Sequence, residues 1–471
     1  MDAPHPHSQT DAAHSPASHD HAARMRVIFG ILTCILLASI DQTVVLPAIP
    51  QMSASLHDRA HIAWVVSAYL LTTTATTPVY GKLSDQLGRR AVLSPALLVF
   101  LAASCVCAAA GSAAWLILGR ALQGVGGGAL MSVAQSAVAD VVPPRERGRY
   151  QGWFAGTWAV STLVGPVVGG FVAQHISWRW IFWGNVPLVL LALGVSHRAL
   201  AGLAPRGGRA PIDYAGALLL VCAVAALLLA LSMGGVDLAW GSGRELGLFG
   251  LAALLSGLLW RQQSAAPAPL LPGHLLARQA HVSLIAFLYS GALFEIIFQL
   301  PLLLQGAYHA SPAGAGAGLM PMLFGTTIGA YGAGQVLRAT GRVRTVLACG
   351  LVLAICGVVP VGIWPLGQGL GWPVGWSLLT GIGLGLLMPT SLVSVQSLAG
   401  GRDVGTMTGM LLLVRSTGGA FGATLAGVAL ALSAPGTLAG FQAGLLGAAG
   451  ALGLALLVLT RMPDVGLGTA N

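Results

Sequence analysis

The sequence predicts an all-α integral membrane protein: two similar six-helix bundles with two further helices inserted between them, fourteen transmembrane helices in all. Three observations predict this. Only 8% of the 471 residues are charged and 55% are hydrophobic, whereas soluble domains carry roughly 25% charged residues. So few charges cannot solvate a globule of this size. The apolar residues also gather into fourteen runs, each near the length of about 20 residues that crosses a bilayer as a helix. Finally, the first and last six runs carry the same internal pattern.

In order, the runs are 26–50, 62–81, 91–111, 113–139, 150–173, 179–197, 214–232, 244–261, 282–305, 313–335, 343–363, 373–397, 404–431 and 440–460. They divide the chain into a polar tail over 1–25, a first bundle over 26–200, two inserted helices with linkers over 201–280, a second bundle over 281–462, and a short tail over 463–471. The first tail holds five histidines. It lacks the apolar core of a signal peptide, and its histidine spacing is too irregular for a metal site. It is expected to be disordered.

Charge placement tests the count. With the N-terminus in the cytoplasm, eighteen of the twenty-three basic residues fall in inner segments. Arg59, Arg179 and Arg244 fall outside, and Arg120 and Arg415 lie within runs. One missed span would invert everything after it, so this bias supports fourteen spans with both termini inside. The net charge of +9 does not imply nucleic acid, because the arginines sit in short segments between apolar runs. The six cysteines lie within apolar runs, and no disulfide framework or metal site is read from them.

The repeat is explicit. Gln123-Gly-Val-Gly-Gly-Gly-Ala-Leu-Met131 matches Thr380-Gly-Ile-Gly-Leu-Gly-Leu-Leu-Met388 at an offset of 257, which also takes Gly148 to Gly405. At an offset of 253, Gly81, Gly88 and Arg89 map to Gly334, Gly341 and Arg342. Parallel halves of this kind are a transporter architecture.

The decapeptide Gly81-Lys-Leu-Ser-Asp-Gln-Leu-Gly-Arg-Arg90 reads as a charged inner loop between the second and third runs, and holds the only lysine. Its pattern resembles the signature loop of the major facilitator superfamily of secondary transporters. The resemblance implies the major facilitator fold, and a gating role for Gly81, Asp85, Gly88, Arg89 and Arg90. Asp85 would bridge to the second half and hold the inner side shut. Arg338 stands at the corresponding position of the second copy.

The first run holds Ile40-Asp-Gln-Thr-Val-Val-Leu-Pro-Ala-Ile-Pro50. A carboxylate inside a span costs roughly 2.5–3.5 kcal/mol on insertion scales, so Asp41 is expected to face a cavity or a partner. Pro47 and Pro50 each remove a backbone donor and loosen this end. The fourth run holds Arg120 in Leu118-Gly-Arg-Ala-Leu-Gln-Gly-Val-Gly. Counted along their helices, Asp41 and Arg120 both lie roughly 10–14 Å below the outer face and can pair, either permanently or as part of a proton cycle. The two segments resemble the first-span motif of fourteen-span drug:proton antiporters and the R-x-x-Q-G-x-G motif of the same superfamily. That resemblance implies proton coupling through Asp41 and Arg120, with Glu295 as a further coupling candidate. The fifth run holds Gly165-Pro-Val-Val-Gly-Gly170. Gly165 and Gly169 form a smooth face for close packing, and Pro166 breaks one backbone hydrogen bond. With Gly170 they resemble the G-P-x-x-G-G motif of the superfamily's exporters.

Glu295 in the ninth run and Arg415 in the thirteenth lie near the midplane. Phe294, Phe298 and Gln299 flank Glu295, a setting that suits amphipathic cations; alternatively Glu295 and Arg415 neutralise each other. Gln123 and Trp158 are candidates to line the first half's cavity. Arg145, Arg147 and Arg149 are candidates to meet anionic lipid or nearby carboxylates.

Taken together, the chain is similar to the EmrB/QacA type of multidrug exporter. This implies proton-coupled efflux of amphipathic small molecules across a bacterial inner membrane, by a monomer with no cofactor. A dedicated exporter of one metabolite or self-made antibiotic is the alternative. No clustered carboxylates, zinc-protease motif or serine elbow suggest an enzyme, and two similar halves with kinked helices suit alternating access better than a channel. The segment 432–439 is short, so no periplasmic adaptor is expected.

Overall fold

The computed structural model describes residues 16–58, 61–202, 211–235, 237–364, 369, 371–401, 403–431 and 438–463. Among them fifteen α-helices follow one another: α1 Pro16–Val44, α2 Ile49–Leu56, α3 Trp64–Leu87, α4 Arg89–Ala108, α5 Ala113–Val141, α6 Pro144–His175, α7 Arg179–Ala199, α8 Tyr214–Met233, α9 Gly243–Ala265, α10 Gly273–Gly306, α11 Pro312–Thr340, α12 Val343–Ile363, α13 Gly371–Leu398, α14 Val404–Ala431 and α15 Leu438–Thr460. Each of the fourteen expected runs falls on one of the long helices; α2 is the short extra one. Helix α1 already begins at Pro16, so residues 16–25 extend the first helix rather than belonging to a disordered tail. A proline suits a first helical turn, where its missing N–H costs nothing. The rest of that tail, the tail after Pro463, most of the 432–439 segment, and Arg59, Arg206, Arg209 and Arg402 of the charge count lie outside the described residues.

Among the described residues, twelve helical stretches are long and apolar enough to cross a membrane. The two long helices that fall short are α3 and α11, and they occupy equivalent places in the two copies. Their polarity has a packing reason. The hydroxyls of Thr72, Thr73 and Thr76 on α3 lie against Gly124, Gly127 and Gly128 of α5, where any Cβ would collide. On α11, Gly325 and Gly329 lie against the α13 backbone at Leu378 and Ile382. Small and hydroxylated residues let these backbones approach, at the expense of hydropathy.

The repeated glycine series does the same work in each half. Gly124 abuts the Tyr69 carbonyl and Gly381 the Met322 carbonyl; Gly128 abuts Thr73 and Gly385 abuts Thr326; Gly126 abuts Ala96 and Gly383 abuts Gly350. Thus α5 is wedged between α3 and α4, and α13 between α11 and α12.

Buried apolar residues of α10 to α15 form one core, which includes Tyr289, Leu347 and Leu392. Those of α1 and α3 to α7 form two more. The halves meet where α3 packs on α14 and α6 on α11. The α8–α9 pair packs against α3 and α14, through a cluster including Leu71, Leu220, Leu228 and Leu259.

Candidate functional site

Two polar constellations and one cavity stand out. The first is built around the end of α1. The helix stops at Val44, passes through a single 3-10 turn at Leu46–Ala48, and resumes as α2. Pro47 and Pro50 explain the break. Asp41 lies three residues before it, 1% exposed. Arg120 donates from Nη1 to Asp41 Oδ2 at 2.7 Å. Gln123 and Asn185 both donate to Oδ1, at 2.9 and 2.7 Å. Arg120 is held in turn by the Val65 carbonyl at 3.1 Å and by Gln123 Oε1 at 2.6 Å. Its guanidinium lies 4.2 Å from the centre of the Tyr69 ring. A buried ion pair is tolerable only when its remaining donors and acceptors are satisfied, and this one nearly is. The structure thus brings Asp41 and Arg120 together. It places Gln123 wholly inside their network, against Ser104 as well, and not on a cavity wall. Trp158, the other N-terminal cavity candidate, is partly buried against the first-half core. Asn185 escaped the sequence reading, although a lone amide in the apolar stretch of α7 was a signal for it.

The broken end of α1 rests on α6. A Cβ on Gly165 would strike Thr43, one on Gly169 the Val44 carbonyl, and Gly170 faces Pro47. Ser161 bonds Ser39 at 2.7 Å and accepts from Thr43 at 3.0 Å. Helix α6 runs unbroken through Pro166.

The second constellation is the Gly81–Arg90 stretch. Read as a loop, it proves almost entirely helical: α3 continues to Leu87, Gly88 alone turns at φ 94°, and α4 starts at Arg89. Gly341 makes the matching turn of the second copy at φ 64°. A positive φ strains any residue with a Cβ. Asp85, 4% exposed, accepts from Gly405 N–H at 2.8 Å, and from Thr406 N–H and hydroxyl at 2.7 and 2.8 Å. It therefore caps the N-terminus of α14, a helix of the opposite half, where orphan N–H groups and the helix dipole favour an anion. Arg89 bridges Asp85 at 2.9 Å to Asp140 at 2.8 Å, while Arg90 contacts His197. Lys82 reaches Asp403 at 3.9 Å, and Gln396 donates to the Gln135 carbonyl at 3.1 Å. Two glycine crossings complete this face: Gly81 against Gly405 and Gly148 against Gly334, each so close that a Cβ would strike the facing backbone. The crossings are twofold related, but Arg338 is exposed where Asp85 is buried. Arg147 bonds the Val142 and Ala139 carbonyls at the end of α5, whereas Arg149 is exposed beside Trp153.

The third group separates. Phe294 and Phe298, four residues apart on α10, are 41% and 51% exposed, and Phe294 lies on Gly419 of α14. Glu295 and Gln299 are on another face, 4% and 0% exposed, turned toward Gly447 and Gly444 of α15. Adjacent residues on a helix point about 100° apart, which splits the expected cluster. Arg415 sits one turn before Gly419, with its Nε buried and unpartnered. No ion pair joins it to Glu295 among the described residues.

A membrane-spanning bundle of two equivalent halves, with ion pairs inside it and a glycine-crossed seam, has the architecture of a transporter. Residues 31–423 match the profile of the Major Facilitator Superfamily, and the chain belongs to that family. It is 32% identical over 411 residues to the multidrug transporter protein MdtP of Bacillus subtilis, covering 86% of this chain and 75% of that protein. It is 32% identical over 449 residues to the efflux pump FUS6 of Gibberella moniliformis, covering 90% and 77%. The human organic anion transporter MFSD10 shares the fold at a TM-score of 0.66 and 18% identity, covering 93% of this chain and 99% of that one. The chain is therefore a multi-pass membrane transporter and not an enzyme.

Proposed function

We propose that this transporter exports amphipathic small molecules by alternating access, driven by protons moving inward through Asp41. The observation that carries the reading is the sealed Asp41–Arg120–Gln123–Asn185 network beside a broken helix end. An ionised Asp41 satisfies Arg120; a protonated one releases it. Because α6 grips the same broken end through Gly165 and Gly169, the exchange of partners at Asp41 is coupled to movement of α6 against α1. Arg120, Gln123 and Asn185 position the carboxylate. The names of the bacterial and fungal relatives, a multidrug transporter and an efflux pump, favour export over uptake.

In this reading all fourteen long helices span the membrane, as in the EmrB/QacA type. Both termini face the cytoplasm of a bacterial cell. The Asp85 face serves as the inner gate. Phe294, Phe298 and Arg415 line the path between the halves, and the protein works as a monomer without an adaptor. The test is proton-gradient-driven transport of a fluorescent amphipathic dye in proteoliposomes. Wild type responds to an imposed pH gradient, and Asp41→Asn, at equal incorporation, does not. A wild-type rate indifferent to the gradient overturns the coupling.

A further inference from the structure

A cavity of about 280 Å³ opens between α10, α14 and α15, lined among others by Phe287, Glu295, Phe421, Leu425, Gly444 and Gly447. Every lining residue comes from these three helices of the second half, so this is not the space between the halves. It is lateral: α15 packs on α10, α12 and α14, and Leu425 on its rim is 53% exposed. Glu295 lies eleven residues from the end of α10, roughly 16 Å at 1.5 Å per residue, well inside the bilayer.

The walls are apolar except at one place. The Glu295 carboxylate lines the cavity, and the residue is 4% exposed. It makes no hydrogen bond or ion pair among the described residues. Beside it Gln299 is fully buried, with both side-chain polar atoms unpartnered. Unmade hydrogen bonds of buried polar groups are costly, so the unpartnered carboxylate in this apolar cavity calls for a ligand, with the unpartnered Gln299 amide one helical turn behind it. Phe287 and Phe421, with centroids 5.5 Å apart, form an aromatic wall. The groove exists because α15 offers only small residues there: a Cβ on Gly447 would lie 3.4 Å from Glu295 Oε1.

We propose that this crevice is a binding site for a lipophilic monovalent cation, a protonated amine on an aromatic body, taken directly from the bilayer. The ammonium pairs with Glu295, while the aromatic body lies against Phe287 and Phe421. The cavity volume is below the usual range of about 300–1,000 Å³ for drug-sized ligands, so it takes a one- or two-ring amine. A carboxylate in low dielectric discriminates strongly between an ammonium and a neutral isostere. The proposal takes from the proposed function only that amphipathic molecules are cargo. Its test reads binding and not transport, so it stands or falls independently of proton coupling.

The experiment is equilibrium binding of tritiated naphthylmethylamine, and of its neutral isostere naphthylmethanol, to the purified full chain in nanodiscs of neutral lipid. Wild type should bind the amine at least about tenfold more tightly than the alcohol, the factor that one charge-assisted contact supplies. Glu295→Gln should abolish that preference and leave the alcohol unchanged. Gly447→Leu fills the groove from its exposed side, in ordinary van der Waals contact, and should weaken both ligands about tenfold. Equal wild-type affinities would make the crevice an apolar seat for a lipid chain and overturn the proposal. So would a preserved preference in Glu295→Gln, or unchanged binding in Gly447→Leu.

Discussion

The carboxylate of Asp85 accepts the backbone N–H of Thr406 at 2.7 Å, so a residue of α3 supplies the N-terminal cap of α14. A helix start in one half is thereby completed by a side chain of the other. Opening this face leaves the first N–H groups of α14 without an anion, and leaves Asp85 with Arg89 alone. The cap turns separation of the halves into the loss of several hydrogen bonds at once.

Asp85→Asn keeps one acceptor oxygen but removes the charge. Hydrogen bonds to charged groups contribute about 1.5–3 kcal/mol each, so losing even about 1.4 kcal/mol shifts the open population tenfold. The measurement is the maleimide labelling rate of a cysteine introduced at Ser394, which is buried on this side. Labelling should accelerate about tenfold. An unchanged rate would reduce the stretch to a marker of topology.

Gly334→Val forces a branched side chain into the backbone of Gly148 at the other crossing. The clash lies between the halves and not within either. The variant should therefore insert and fold, label rapidly at the same cysteine, and lose efflux. Efflux within twofold of wild type would show that this crossing can yield.

Arg120→Leu strands the Asp41 carboxylate in a site that is 1% exposed. Breaking a buried pair by removing one partner costs about 3–5 kcal/mol, whereas replacing both partners with apolar groups is often near neutral. Thermal unfolding in detergent should show Arg120→Leu strongly destabilised and the Asp41→Leu/Arg120→Leu double variant partly restored. A double variant worse than the sum of the singles would contradict this account of the pair.

The two polar helices set a test of span number. If α3 and α11 cross the bilayer, topology reporters after His61 and Ser311 lie on one side and reporters after Gly88 and Gly341 on the other. Matching signals at His61 and Gly88 would leave α3 outside the membrane and the fourteen-span reading wrong.

The sequence disclosed those elements whose signal is spacing along one helix. Arg120 and Gln123 are three apart and share a face, so their pairing was open to the sequence, although Gln123 was read as lining the cavity. The offsets that relate Gly81 to Gly334 and Gly148 to Gly405 anticipate which glycines are equivalent. They do not reveal that the partners cross over, Gly81 meeting Gly405 and Gly334 meeting Gly148. Glu295 and its phenylalanine neighbours were grouped by adjacency, and adjacency on a helix means divergence. Asn185 stands out in sequence only as a lone amide in an apolar stretch, and its partner is reached through the fold, because α7 must lie beside α1 before its amide finds Asp41. The signature stretch was read as a loop because its charges suggested water. Those charges are instead consumed by Asp140, Asp403 and the start of α14, which lets α3 stay helical to Leu87.

The α8–α9 pair touches both halves on one flank only. Helix α8 packs on α3 and α14, and Leu231 accepts from the Thr424 hydroxyl at 3.2 Å. No comparable strap crosses the α6–α11 flank among the described residues. The molecule is bound along one edge like a book. If the halves rock as proposed, the strapped edge acts as the spine and the unstrapped edge sweeps the larger arc. Two seams that are symmetric in their glycines are therefore unequal in their travel, and spin-label pairs placed across each would register that difference directly.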